Sequence, residues 1–137
     1  MRRLIAVLLL SIFVLISCGK NAEKGPGKLP VGYLDTPKPG ETIRGIYRIA
    51  GWALSESGIR DVSIFVDRNF VGMATLGQSR PDLPAHFSMF PNPEYGGFEY
   101  QWDTTSVSPG PHELTAQART NNGATRDLGT VGVTTAR

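Results

Sequence analysis

The sequence of 137 residues is short of the groups on which most catalysts rely. It has a single cysteine and two histidines, His86 and His112, which are 26 residues apart. One cysteine excludes an intrachain disulfide, and no cysteine or histidine pair has the spacing of a zinc site. A Gly-x-Ser-x-Gly elbow and a Gly-rich phosphate loop are both missing. We therefore predict that the protein has no catalytic residue, no metal and no cofactor.

The sequence also has no large excess of one charge. It contains 14 Lys and Arg residues and 12 Asp and Glu residues, which gives a formal net charge of +2. Such a balance excludes the strongly basic footprint of a nucleic-acid-binding protein, so no nucleic-acid partner is expected. Several aspartates lie near predicted strand ends, but they lack the dense alternation of a calcium loop and are better explained as turn caps. These are Asp61, Asp67, Asp82, Asp103 and Asp127.

Only one long hydrophobic run is present, from Leu4 to Ile16, and it follows the basic pair Arg2 and Arg3. The run has 13 residues, whereas a membrane-spanning helix needs about 20. A short basic start followed by an apolar stretch of this length is typical of a secretory signal peptide. The arginine pair leaves twin-arginine export open as an alternative.

The end of this run, Leu15-Ile16-Ser17-Cys18 followed by Gly19, resembles the lipobox of bacterial lipoproteins. The resemblance implies cleavage between Ser17 and Cys18, a diacylglycerol on the Cys18 thiol and an acylated new amino group. It also implies a membrane partner through this anchor, and Gly19 in place of Asp indicates the outer membrane if the source is Gram-negative. The alternative is an uncleaved anchor or an ordinary secreted protein.

Residues 19–29 contain three glycines and no apolar periodicity, which predicts a flexible tether. Lys20, Lys24 and Lys28 outnumber Glu23 there, so the tether either touches anionic headgroups or is a plain spacer. Residues 30–137 hold nine basic and eleven acidic residues. The expected division is a signal peptide at 1–17, a lipidated cysteine and tether at 18–29, and one domain at 30–137.

The domain shows period-two alternation rather than helical periodicity. Val62, Ile64 and Val66 alternate with more polar neighbours, as does the stretch from Phe98 to Asp103, and similar patterns follow at 114–119 and 128–134. Six or seven short strands separated by turns predict an all-β fold, a single β-sandwich. Trp52 and Trp102 fall on predicted strands, where we expect them to pack in the core.

Residues 31–135 resemble a bacterial immunoglobulin-like domain of exported and surface proteins. The resemblance is carried by several short pieces: Gly51-Trp52-Ala53, Gly58-Ile59, Val66-Asp67, Arg80-Pro81-Asp82, Gly97-Phe98, Trp102-Asp103-Thr104 and Pro109 to Leu114. It implies an Ig-like sandwich of about seven strands that acts as a spacer, adhesive or binding module. Asp67-Arg68-Asn69 stands where the family has Asp-Gly, so the register of that hairpin turn is left open.

The segment 77–97 is long for a connection between two strands. It contains four prolines and the candidate binding residues His86, Phe87, Met89, Phe90 and Tyr95. Aromatic faces on a stiff loop suit sugars or peptide segments, so an envelope protein or glycan is a possible partner. The alternative is that the aromatic side chains cover a sheet edge or the core. His86 is expected in an exposed loop. His112 is expected in a turn or at the start of a strand, hydrogen-bonded to backbone.

The sequence therefore predicts a non-catalytic, lipid-anchored protein of the cell envelope that presents an Ig-like binding or spacer domain. Two alternatives stay open at this point. One is an envelope hydrolase or an accessory subunit of one, which needs a histidine paired with an acid in one cleft. The other is a structural subunit of a lipoprotein assembly, which a large exposed apolar patch would favour.

Overall fold

A computed structural model describes residues 27–137, which form nine β-strands and three short helical turns. The strands are β1 (Val31–Thr36), β2 (Thr42–Ile43), β3 (Ile46–Leu54), β4 (Ile59–Val66), β5 (Asn69–Met73), β6 (Thr75–Gln78), β7 (Gly97–Asp103), β8 (Gly110–Thr120) and β9 (Thr125–Thr135). The turns are helix α1 (Pro84–Phe87) and 3-10 turns at Pro93–Tyr95 and Thr104–Ser106. Residues 27–137 contain no helix long and apolar enough to cross a membrane.

The predicted signal peptide, the cleavage site between Ser17 and Cys18, and Cys18 itself lie outside the described residues. The division at residues 1–17, 18–29 and 30–137 accordingly stays a prediction. Within the described part, the first strand begins at Val31.

The strands form two sheets, one with the order β1-β3-β7-β6 and one with the order β2-β9-β8-β4-β5. All paired neighbours are antiparallel except β2 and β9, which are parallel. The chain therefore changes sheets between β1 and β2. The prediction of an all-β sandwich is confirmed, with nine strands in place of about seven. Two of them, β2 with two residues and β6 with four, are too short for alternation to reveal.

The core lies between the sheets and consists of the inward-facing residue of each alternating pair. Its largest fully buried members include Ile49, Phe98, Trp102 and Leu114. Trp102 is 1% exposed, which confirms its predicted place in the core. The expectation for Trp52 is wrong, because Trp52 is half-buried and belongs to the opposite face of β3 from Ile49. It lies on the outer face of the four-stranded sheet.

The hairpin between β4 and β5 has a two-residue loop, since Val66 pairs with Asn69. The loop residues Asp67 and Arg68 both have positive φ, 50° and 68°. Two left-handed residues form the type I′ turn that matches the twist of a hairpin. Arg68 therefore occupies the position at which such turns favour glycine, which settles the register.

Three connections lie at the same end of the sandwich as the first described residues. They are the turn at 55–58, the segment 79–96 and the turn at 121–123. Ala53 N–H of β3 donates to Gly96 O of the segment at 2.9 Å, and Asn121 N–H joins the two turns by donating to Gly58 O at 3.1 Å. Lys28 Nζ bonds Glu56 Oε1 at 2.8 Å. We call this the tether end. The hairpin loop at 67–68 and the start of β3 lie at the far end.

Candidate functional site

The segment 79–96 is folded onto the outer face of the four-stranded sheet. The Phe87 ring packs against the Trp52 ring with centroids 4.8 Å apart, and the Phe90 ring follows at 6.2 Å from Phe87. Leu83 is buried, with 3% exposed. A Cβ on Gly96 would lie 2.7 Å from Leu54 Cδ2 and 3.0 Å from Leu83 Cδ1, so a larger residue there would force these side chains to shift. The segment thus has a small apolar cluster of its own.

An arginine holds the beginning of this segment to the sheet. Arg80 donates from Nη1 to Asp35 Oδ2 at 2.7 Å, and from Nε and Nη2 to the two carboxylate oxygens of Asp82 at 2.9 and 2.8 Å. The hydrogen bond from Arg80 holds the pKa of Asp82 below its usual range. A Cβ on Gly97 would lie 3.0 Å from Arg80 Cγ, so the arginine stem crosses the sheet directly above Gly97. Arg80 therefore joins the segment to β1.

The candidate binding residues divide into two groups. Phe87 and Phe90 are half-buried in the apolar cluster, which is the behaviour expected of a cover. Met89 and Tyr95 are 70% and 59% exposed, and His86 is also exposed. The structure thus places all five on one segment, with only part of the set available to a partner.

A cleft of about 470 Å³ lies between the turn at 55–58 and residues 91–96. That volume falls in the range of about 300–1,000 Å³ typical of ligand sites. Its apolar lining includes Leu54, Ile59, Leu76 and Phe98, and its polar lining includes Glu56, Ser57, Asn92 and Tyr95. Of the five candidate binding residues, only Tyr95 lines the cleft. Sequence reasoning missed the cleft because the turn and the segment are brought together only by strand pairing.

The two histidines lie at opposite ends of the sandwich. His112 is at the far end, with Nδ1 2.6 Å from Asp67 Oδ2 and Nε2 2.6 Å from the carbonyl oxygen of Ser108. Both partners are acceptors, so the ring satisfies both only as an imidazolium. The Asp67 carboxylate, followed by the Ser108 carbonyl, raises the pKa of His112. Because both nitrogens are engaged, this histidine and acid form a structural link with no nitrogen free to activate a nucleophile.

Asp67 is held in turn by its own neighbours. It accepts from the backbone N–H of Glu113 at 2.9 Å, and this bond, followed by the one to His112, lowers the pKa of Asp67. The hairpin loop is thereby fastened to β8. Residues 27–137 contain no cluster of three His, Cys, Asp or Glu side chains that could hold a metal ion.

Two mainly antiparallel sheets packed face to face, with β1 in one sheet and β2 in the other, define an immunoglobulin-like β-sandwich. Residues 30–116 match the bacterial Ig domain family, and the chain belongs to that family. A domain of this class is typically a non-catalytic binding or spacer module. No curated protein sequence matches the chain.

Solved structures share the fold at low sequence identity. The endo-beta-1,4-mannanase from Thermotoga petrophila is 15% identical over 85% of this chain, with a TM-score of 0.56. The fibronectin(III)-like modules of Clostridium thermocellum CbhA are 21% identical over 77% of this chain, with a TM-score of 0.50. The chain spans 21% of the mannanase chain and 45% of the CbhA chain. These similarities show the fold alone.

Proposed function

We propose that this protein is anchored to a membrane of the cell envelope by lipid on Cys18, and that its Ig-like domain is a non-catalytic binding module. The observation that carries the proposal is the sequence Leu15-Ile16-Ser17-Cys18, in which the only cysteine of the chain follows a basic start and an apolar run. A thiol is the nucleophile that lipid transfer requires, and no other residue of the chain offers one. Two or three acyl chains give stable anchoring, whereas one is marginal.

The geometry of the tether end supports a binding role. It combines the long segment 79–96, two short turns and a cleft on a rigid sandwich, which is the arrangement in which loops carry binding. Met89 and Tyr95 are available there at high exposure. The partner predicted from the sequence, an envelope protein or glycan, would be bound at this end.

The anchor is tested by replacing Cys18 with Ala in the full chain. We expect the wild type to be recovered in the membrane fraction, and Cys18→Ala to lose both the lipid and the mature processing. Ser11→Ala, which changes the only polar residue of the apolar run, is the matched control and should behave as wild type. Mature, membrane-retained Cys18→Ala protein would refute the anchor.

A further inference from the structure

We propose that the tether end docks on the headgroup surface of the bilayer that holds the anchor, with Leu29, Met89 and Tyr95 as the contacting side chains. This inference rests on the proposed lipid anchor and names the partner of the tether end. Four properties of the described residues carry it: where the chain joins the domain, how far the anchor reaches, which side chains are exposed, and how the charges are paired.

The chain joins the sandwich between two turns of the tether end. A Cβ on Gly27 would lie 3.0 Å from Asn122 Cβ, so the chain touches the turn at 121–123. The next residue, Lys28, pairs with Glu56 of the turn at 55–58. The direction from which the anchor holds the domain is therefore the tether end itself.

The anchor reaches only a short distance from this point. Cys18 precedes Gly27 by nine residues, and nine fully extended residues span at most about 30 Å. The far end is separated from the tether end by the length of β8, which has 11 residues and so measures about 36 Å. Contact with the bilayer through the tether end thus needs no stretching of the tether, whereas contact through the far end would need more than its full extended length.

The tether end presents apolar side chains to the outside. Leu29 is 57% exposed, Met89 is 70% exposed and Tyr95 is 59% exposed. A tyrosine combines an apolar ring with a polar hydroxyl, and this combination favours the boundary between lipid and water. A linker of about ten residues also raises the effective concentration at the surface to about the millimolar range, so a weak contact is sufficient.

The charges of the tether end are largely paired within the domain. Lys28 bonds Glu56, Arg119 bonds Asp61, and Arg80 bonds Asp35 and Asp82. A strongly charged partner would rely on a field of opposite sign and would have to compete with these pairs. Binding to a lipid headgroup surface does not need such a field. The apolar side chains make the contact, and the tether keeps them close to the bilayer.

The test uses the full lipidated chain in vesicles of phosphatidylethanolamine and phosphatidylglycerol. A nitroxide label is attached to Met89→Cys and, as the matched control, to Ile46→Cys at the far end, where the native side chain is 65% exposed. Since lipid consumes the Cys18 thiol, only the introduced cysteine takes the label. Paramagnetic relaxation then compares accessibility to oxygen and to a water-soluble nickel complex. We expect the label at position 89 to be several-fold less accessible to nickel than the label at position 46.

Equal accessibility to nickel at both positions would overturn the docking, provided that the mass of the same preparation shows lipid on Cys18. Absence of that lipid would overturn the anchor and the docking together, so the two failures are distinguishable. A label at position 89 that is exposed to water on vesicles, yet immobilised on native envelopes, would show that the partner is a protein or glycan. That result would also overturn docking on lipid.

Discussion

At the scale of single residues, the link between His112 and Asp67 fastens the hairpin loop to β8. The two ring nitrogens of His112 face a carboxylate oxygen and a carbonyl oxygen, both at 2.6 Å. Because both oxygens are acceptors, they favour the protonated ring over the neutral one. From this geometry we expect the stability of the domain to depend on pH through His112.

The link predicts a window of pH in which it stabilises the domain. The pKa of His112 is raised on folding, so its contribution is complete below the ordinary histidine pKa of about 6.5 and is lost as pH rises through the raised value. The pKa of Asp67 is lowered, so its contribution is complete above the ordinary carboxyl pKa of about 4 and is lost as pH falls through the lowered value. The melting temperature of wild type should exceed that of His112→Gln most between about pH 4 and 6.5.

Thermal unfolding across the pH range checks this, with His86→Gln as the control. His86 is exposed and takes part in no ion pair that the structure of residues 27–137 shows, so its replacement should leave the profile of wild type unchanged. Parallel melting profiles for wild type and His112→Gln would mean that the link does not contribute in a pH-dependent way, which would contradict the prediction.

The second residue-scale prediction concerns the hairpin loop. Arg68 has a φ of 68°, a left-handed conformation whose strain costs a residue with a side chain about 1–2 kcal/mol. Glycine has no such strain, but its greater freedom in the unfolded chain lowers the stability by about 0.5–1 kcal/mol. Arg68→Gly should therefore stabilise the domain by about 0.5–1 kcal/mol, measured as a higher denaturant midpoint. Arg60→Gly, at an exposed position of β4, should destabilise it by a similar amount. A loss of stability in both variants would contradict the turn assignment.

At the scale of elements, the segment 79–96 behaves as a cover whose outer surface is free. Phe87 packs on Trp52, and Arg80 spans to Asp35, so the segment is fixed at two points. Covering the sheet leaves other side chains of the same segment exposed, since Met89 and Tyr95 take no part in the cover.

The division between buried and exposed side chains of the segment predicts a clear loss of stability when Phe87 is replaced and almost none when Met89 is replaced. Replacing a fully buried phenylalanine by alanine lowers the free energy of unfolding by about 3–5 kcal/mol. Because Phe87 is half-buried, Phe87→Ala should lower it by about 2 kcal/mol. Met89→Ala, at a side chain that is 70% exposed, should change stability by less than about 0.5 kcal/mol. Chemical denaturation measures both. An unchanged midpoint for Phe87→Ala would show that Phe87 does not hold the segment.

The alternation of the sequence located β4, β7, β8 and β9, because each places one face in the core and one outside. The pattern around Ile49, Gly51 and Ala53 already set Trp52 on the other face, yet its place on a predicted strand led us to expect it in the core. The sequence pattern could not predict how the segment 79–96 covers the sheet. Phe87 contacts Trp52, which lies 35 residues away in the chain, and Arg80 contacts Asp35, which lies 45 residues away. Such contacts depend on strand order, which local pattern does not contain.

At the scale of the whole molecule, residues 27–29, the long segment and the cleft all lie at one end of the sandwich. The direction of the strands dictates this, because β3 and β8 both run toward the end at which β1 begins. The described domain belongs to the bacterial Ig domain family, and the tether before it carries the basic charge. The lipid anchor that we propose at Cys18 would therefore decide how the domain is presented to the envelope.

The most direct test of the account is the mass of the amino-terminal peptide of the mature protein, extracted from the envelope with detergent. The account predicts a peptide that begins at Cys18 and carries a diacylglycerol on the thiol and an acyl chain on the amino group. A mature peptide that begins elsewhere, or a Cys18 with a free thiol in membrane-bound protein, would contradict it.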